Sequence, residues 1–170
     1  MTIASAVLVP VYRDEAGDLR VVLVVRGGHG VHGGQVGLPG GIKDEGDVDL
    51  EATALREAEE EIGLTRGSVD VLQALPEVEV PTGYVITPFL ARLSAIPPVW
   101  KRQEREIAEI LSVAVADLAR NELRGEEVWQ LQGGPRRTTF VRLGPHKLWG
   151  ATYRILNPLV PRLLAGEWPL

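Results

Sequence analysis

No cysteine occurs among the 170 residues, which excludes a disulfide framework, a thiolate nucleophile and a zinc site with sulfur ligands. The same absence suits a reducing compartment, so a cytoplasmic location is expected. Apolar runs stop at about eight residues, too short to span a bilayer, and no membrane association is expected. The opening MTIASAVLVP has no basic stretch ahead of its apolar run and does not read as a signal peptide. Positive charge is also scarce. The 18 Lys and Arg face 23 Asp and Glu, for a formal charge of −5, which argues against binding nucleic acid through its phosphates. Such a chain can still bind an anionic small molecule if a divalent metal supplies the positive charge. Repeats, low-complexity tracts and linkers are missing, so residues 1–170 are expected to form one domain.

What is present is a mixture of short apolar runs and two helical patterns. Ala4 to Tyr12 and Leu19 to Arg26 predict a hairpin turning at Glu15-Ala-Gly-Asp18. Gly27 to Gly41 holds eight glycines in fifteen positions, a loop whose backbone can approach a ligand closely. Leu50 to Ile62 predicts a helix, with Asp49 as N-cap and Gly63 as stop. Strands are expected at Val69–Leu75, Tyr84–Leu93 and Ile107–Val113, and a short helix at Val115–Arg120. A second hairpin is expected from Val128–Gln132 and Thr138–Leu143 across Gly133-Gly134-Pro135. Trp149 to Leu164 predicts a C-terminal helix that Pro158 and Pro161 kink or restart. The mixture implies an α+β fold, a mixed sheet with helices packed on it.

The helix Leu50–Ile62 reads LEATALREAEEEI. Leu55, Ala58 and Ile62 share a core-facing arc, while Glu57, Glu60 and Glu61 occupy the adjoining arc of roughly 100°. Three carboxylates at i, i+3 and i+4 repel one another unless a cation sits among them. Hard oxygen ligands of this type suit Mg²⁺ or Mn²⁺. The competing reading is a solvated acidic face with Arg56 paired to Glu60.

The wider segment GGIKDEGDVDLEATALREAEEEIGL, Gly40 to Leu64, resembles the box of the Nudix hydrolase family. Gly41, Asp47, Arg56, Glu57, Ala58, Glu59, Glu60, Glu61, Ile62, Gly63 and Leu64 carry the match. Asp47 stands in place of the usual glutamate, and the loop to Arg56 is one residue longer than the commonest spacing. The resemblance implies an α/β/α sandwich with a mixed β-sheet between helices. It also implies metal-dependent cleavage of a diphosphate linked to a nucleoside, in a small-molecule substrate. Glu57 and Glu61 would be metal ligands, Glu60 a further or water-held ligand, and the Gly41 carbonyl another. Arg56 would orient glutamates or hold the loop through Asp47. The base that activates water varies in the family, and Glu106 and Glu109 are candidates.

Arg26, His32, Gly34, Gln35, Val36, Pro39, Gly40 and Gly41 in VVRGGHGVHGGQVGLPGG are similar to the coenzyme A pyrophosphatase branch. So are Thr82-Gly83-Tyr84 with Thr87-Pro88, and Trp149-Gly150-Ala151-Thr152. By that resemblance Arg26, His32, Gln35 and Tyr84 would help hold substrate, and the products would be 3′,5′-ADP and 4′-phosphopantetheine or its acyl form. Three departures stand out. Gly30 occupies the place of a second arginine, Leu38 that of a phenylalanine, and the first strand opens the chain where the branch has a leading helical segment. Arg136, Arg137, Lys101 and Arg102 are alternative sources of charge for a 3′-phosphate. Gly28 to Gly33 spells G-x-G-x-x-G, but Gly34 to Gly41 cannot open the helix that a dinucleotide fingerprint needs. His29, His32 and His146 offer no complete metal-ligand spacing, and the four tryptophans suit packing. Pro81 is a near miss to a proline of the ADP-ribose branch. Two alternatives remain open: hydrolysis of another nucleoside diphosphate derivative such as ADP-ribose or a dinucleotide, and a non-catalytic ligand-binding module. A homodimer is compatible with the sequence.

Overall fold

The first two apolar runs pair antiparallel, β1 (Ile3–Arg13) with β2 (Leu19–Arg26). The Asp14 carboxylate accepts the Asp18 N–H at 2.9 Å and closes their turn. The computed structural model describes residues 1–28, 34–95 and 100–170. The glycine-rich stretch carries two short strands, β3 (Val36–Gly37) and β4 (Gly40–Ile42), before α1 (Leu50–Ile62). Next come β5 (Val69–Ala74), β6 (Val78–Glu79), β7 (Tyr84–Leu93) and β8 (Ile107–Ala114). A second hairpin, β9 (Arg124–Leu131) and β10 (Gly134–Leu143), is followed by β11 (His146–Leu148) and α2 (Gly150–Leu164).

The large sheet runs β3-β2-β1-β7-β5, with β4 beside β1, β6 beside β7 and β8 beside β2. β1 and β7 run parallel while their other neighbours are antiparallel, so the sheet is mixed. Period-two alternation decides which helix each strand residue meets. Ala6, Leu8, Val22, Val24, Phe89 and Ala91 cluster with Ala54, Leu55, Ala58 and Ile62 of α1. Val9, Val11, Val21, Leu23, Val25 and Leu90 cluster with Ile155, Leu156, Leu159 and Val160 of α2. The sheet therefore lies between the two helices. Each fully buried Val, Leu or Ile contributes about 1.5–3 kcal/mol to this packing. β9, β10 and β11 form a separate three-stranded sheet.

Four details differ from the sequence expectation. The short helix at Val115 is a 3₁₀ turn, Val115–Ala119. The second hairpin begins at Arg124 and turns at Gln132-Gly133, because Gly134 and Pro135 already pair with Leu131 and Gln130. The expected loop from Gly27 to Gly41 contains β3 and β4. α2 runs unbroken through Pro158 and Pro161. Both prolines lie on its exposed side. The carbonyls they leave without helical donors can there be solvated, which removes much of the cost of an interior proline. Among the described residues, no helix is long and apolar enough to cross a membrane.

Candidate active site

α1 starts where the Asp49 carboxylate accepts the Ala52 N–H at 2.8 Å, and stops at Gly63, whose φ of 76° is left-handed. With its apolar face on the sheet, α1 sends Glu57 and Glu61 toward the strand edge at β4. Both line a cavity of about 410 Å³ with Gly40, Gly41, Ile42, Lys43, Asp44, Arg26, Arg56 and Glu106. Glu61 is only 1% exposed. Nη1 of Arg26 donates to its two oxygens at 2.9 and 3.0 Å, and Nη2 donates to the Leu38 carbonyl at 3.0 Å. Burial pushes the Glu61 carboxyl up to about 7, against the attraction of Arg26.

Arg56 fastens the preceding loop to the helix. Its Nε and Nη2 each donate to an Asp47 oxygen at 2.9 Å, a two-point fork. The Thr53 hydroxyl and the Asp44 N–H also donate to Asp47, each at 2.9 Å. The Arg56 bonds, followed by that of Asp44, hold the Asp47 carboxyl well below the usual carboxylate range. Nη1 of Arg56 reaches Glu57 at 3.2 Å and Glu60 at 3.4 Å. Burial raises the Glu57 carboxyl, Arg56 draws it back, and repulsion from Glu60 and Glu106 adds to the rise. Glu60 is half-exposed and does not line the cavity; its carboxylate meets Arg56 at the rim.

Two glycines are fixed by contact. A Cβ on Gly41 would overlap the Glu57 carboxylate, and one on Gly40 would strike the Ala6 carbonyl and come within 2.6 Å of Val7 Cγ1. Glu106 arrives from the segment before β8. The Glu106 carbonyl accepts the Gly27 N–H at 2.7 Å, and the Gln103 N–H donates to the Glu61 carbonyl at 3.0 Å. The other downstream candidate, Glu109, instead meets His146 Nε2 at 3.1 Å.

Glu57, Glu61, Glu106 and the Gly41 carbonyl are all hard oxygen donors, and the missing Gly41 side chain leaves room for the Glu57 carboxylate. That donor chemistry fits Mg²⁺ or Mn²⁺. Among the described residues, no three carboxylate or imidazole groups already stand at mutual ligand geometry. Glu61 is turned to Arg26, and Glu57 and Glu60 to Arg56.

A second cavity, of about 540 Å³, lies on the α2 side of the sheet. Ser5, Val7, Tyr84 and Ile86 form its floor, Gln35 to Leu38 one wall, and Trp149 to Thr152 with Arg154 and Ile155 another. The two cavities share Arg26, Gly40, Gly41 and Ile42. Tyr84 and Gln35 thus face the second cavity, while Arg26 borders both and is engaged with Glu61. His32 and Gly30 lie outside the described residues. None of Lys101, Arg102, Arg136 and Arg137 lines either cavity; Arg102 donates to the Ile107 carbonyl at 2.6 Å and Arg137 pairs with Glu126. Two cations were not singled out by the sequence. Lys43 lines the acidic cavity, and Arg154 lines the apolar one with Nη1 on the Glu79 carbonyl at 2.8 Å. Locally, neither differs from a solvent-facing basic residue.

The fold and the glutamate helix define a class, and comparison with known proteins agrees. The NUDIX domain family matches residues 2–131, and the chain belongs to that family. It is 34% identical over 159 residues to the uncharacterized Nudix hydrolase NudL of Salmonella paratyphi B, covering 91% of this chain and 80% of the relative. The Nudix hydrolase RenU of M. smegmatis superposes with a TM-score of 0.67 at 23% identity, covering 99% of this chain and 88% of that one. The NUDIX domain of Shewanella oneidensis NrtR, complexed with ADP ribose, gives 0.57 at 24% identity, covering 70% and 77%. These two likenesses speak for the fold. The protein is a pyrophosphatase hydrolase of the Nudix type, in a family that uses divalent metals and acts on small nucleotide substrates.

Proposed function

We propose that the protein hydrolyses the diphosphate bond of coenzyme A or its derivatives, giving 3′,5′-ADP and 4′-phosphopantetheine or its acyl form. The observation that carries this reading is the pairing of cavities. An acidic one suited to metal and diphosphate shares strand β4 with a larger, mainly apolar one suited to a long organic arm. The similarity of Gln35, Tyr84 and Trp149 to the coenzyme A branch supports it, since all three line the apolar cavity. Glu57, Glu61 and the Gly41 carbonyl would hold Mg²⁺ or Mn²⁺, and Glu60, at the rim on Arg56, would add negative charge beside it. Held there, the ion would supply charge neutralisation for the phosphoryl oxygens and a more acidic water. Arg56 keeps Glu57 and the Asp47 loop in register, and Arg26 does the same for Glu61. The Glu106 carboxylate accepts the proton of the attacking water; its position on the wall of the acidic cavity favours it over Glu109. Lys43 adds positive charge beside the diphosphate.

A second reading, cleavage of another nucleoside diphosphate derivative such as ADP-ribose, is favoured by Pro81 in the apolar cavity. A substrate panel with product masses separates the two. The expected result is 3′,5′-ADP from coenzyme A with Mg²⁺ or Mn²⁺, and no turnover in chelator. Higher kcat/KM on ADP-ribose than on coenzyme A and its acyl forms would overturn the first reading.

A further inference from the structure

Trp149 lines the apolar cavity, and its ring is in contact with a residue that lies outside that cavity. Trp149 is the N-cap of α2, yet its side chain makes no capping hydrogen bond. Its ring meets Trp129 of β9 edge-on, with centroids 5.1 Å apart and planes at 87°. Trp129 lines neither cavity. It is held by three further contacts. It stacks on the fully buried Phe140 at 5.7 Å, its indole N–H donates to Glu127 at 2.7 Å, and the Lys147 ammonium lies 5.5 Å from its ring. Lys147 also bonds Glu127 at 3.1 Å and lies 4.6 Å from the Phe140 ring. Glu127, Phe140 and Lys147, one from each of the three strands of the small sheet, thus converge on Trp129, which in turn meets the ring of Trp149, a residue of the cavity lining.

We infer that Trp129 is a positioning residue for substrate selection. The small sheet fixes Trp129, Trp129 fixes the plane of Trp149, and Trp149 sets the width of the cavity that receives the substrate's organic part. The inference rests on the reading that this cavity receives substrate. Trp129 itself does not touch the substrate.

The test compares Trp129→Leu, Trp129→Phe, Trp149→Leu and the double leucine variant, using coenzyme A or whichever panel substrate the wild-type enzyme cleaves best. Trp129→Leu should raise KM about threefold to tenfold, the scale of an aromatic pair contact, with kcat and the metal activation constant within about twofold of wild type. Trp129→Phe retains an aromatic edge and should restore most of the KM. The double variant should match Trp149→Leu alone, because Trp129 acts only through Trp149. A merely structural role would lower the melting temperature without splitting KM from kcat. An unchanged KM in folded Trp129→Leu, or additive effects in the double variant, would overturn the inference. A null result for Trp149→Leu would overturn the cavity reading and the inference together. Failure on coenzyme A alone would overturn only the choice of substrate. If Trp129→Leu does not fold, Glu127→Ala removes the indole's acceptor at a half-exposed position and should raise KM by about twofold or more; no change there would equally overturn the inference.

Discussion

At the scale of single residues, the acidic cavity is a set of charges held apart by two arginines. Replacing Glu57 with Gln keeps the shape and removes one charge. The rate with Mg²⁺ should fall about a hundredfold or more, while thermal melting stays close to wild type. Gly41→Ala tests the same spot by volume instead of charge, because the new methyl overlaps the Glu57 carboxylate. It should cost activity in proportion to the displacement of Glu57, with metal titration showing a weakened activation constant. Asp47 makes a pH prediction. Its carboxyl is held below the ordinary 3.8 by Arg56 first, so its contribution to stability is complete above that value. The contribution is lost as pH falls through the lower folded value. Asp47→Asn should therefore lower the melting temperature at pH 7, and the gap to wild type should narrow progressively below about pH 4. A gap that stays constant down to pH 2 would contradict the Arg56 pairing.

At the scale of elements, α1 was readable from sequence because three signals coincide: the Asp49 cap, the apolar period and the Gly63 stop. β4 was not, since a three-residue strand carries no periodicity, and its place beside β1 depends on contacts distant in the chain. The first four residues of β9 are not legible, because the charged Arg124-Gly-Glu-Glu127 conceals the alternation that shows from Val128 onward. The place of helix α2 is legible in the sequence but its continuity is not: whether Pro158 and Pro161 break it depends on which side faces solvent. The segment ahead of β8 shows the same limit. Glu106 and Glu109 are equally eligible in the sequence; the fold anchors this segment to Gly27 and Glu61, with Glu106 on the acidic cavity's wall and Glu109 on His146. Glu106→Gln should lower kcat by about a hundredfold or more, the range expected for a general base. Glu109→Gln should stay within about twofold of wild type. Steady-state kinetics on both variants checks this, and the reverse ranking would reassign the base.

At the scale of the whole molecule, the acidic and apolar cavities occupy opposite faces of one sheet, and the last residues tie its far side together. Trp168 donates to Gln73 at 3.1 Å, Arg92 donates to the Pro169 carbonyl at 2.8 Å, and Arg13 donates to the Leu170 carbonyl at 3.3 Å. Removing residues 168–170 should cost roughly 1–3 kcal/mol, or about 3–10 °C in calorimetry, with kcat and KM nearly unchanged. A loss of activity without a loss of stability would show that this tail reaches the site. The sharing of β4 between the cavities has a further consequence, for inhibition. On the proposed reading that the α2-side cavity receives substrate, a compound filling it alone would compete with the substrate while leaving the carboxylates free. Its potency should not shift with metal concentration, whereas a diphosphate mimic's potency should. Blockers directed at that cavity can therefore be sought among uncharged molecules.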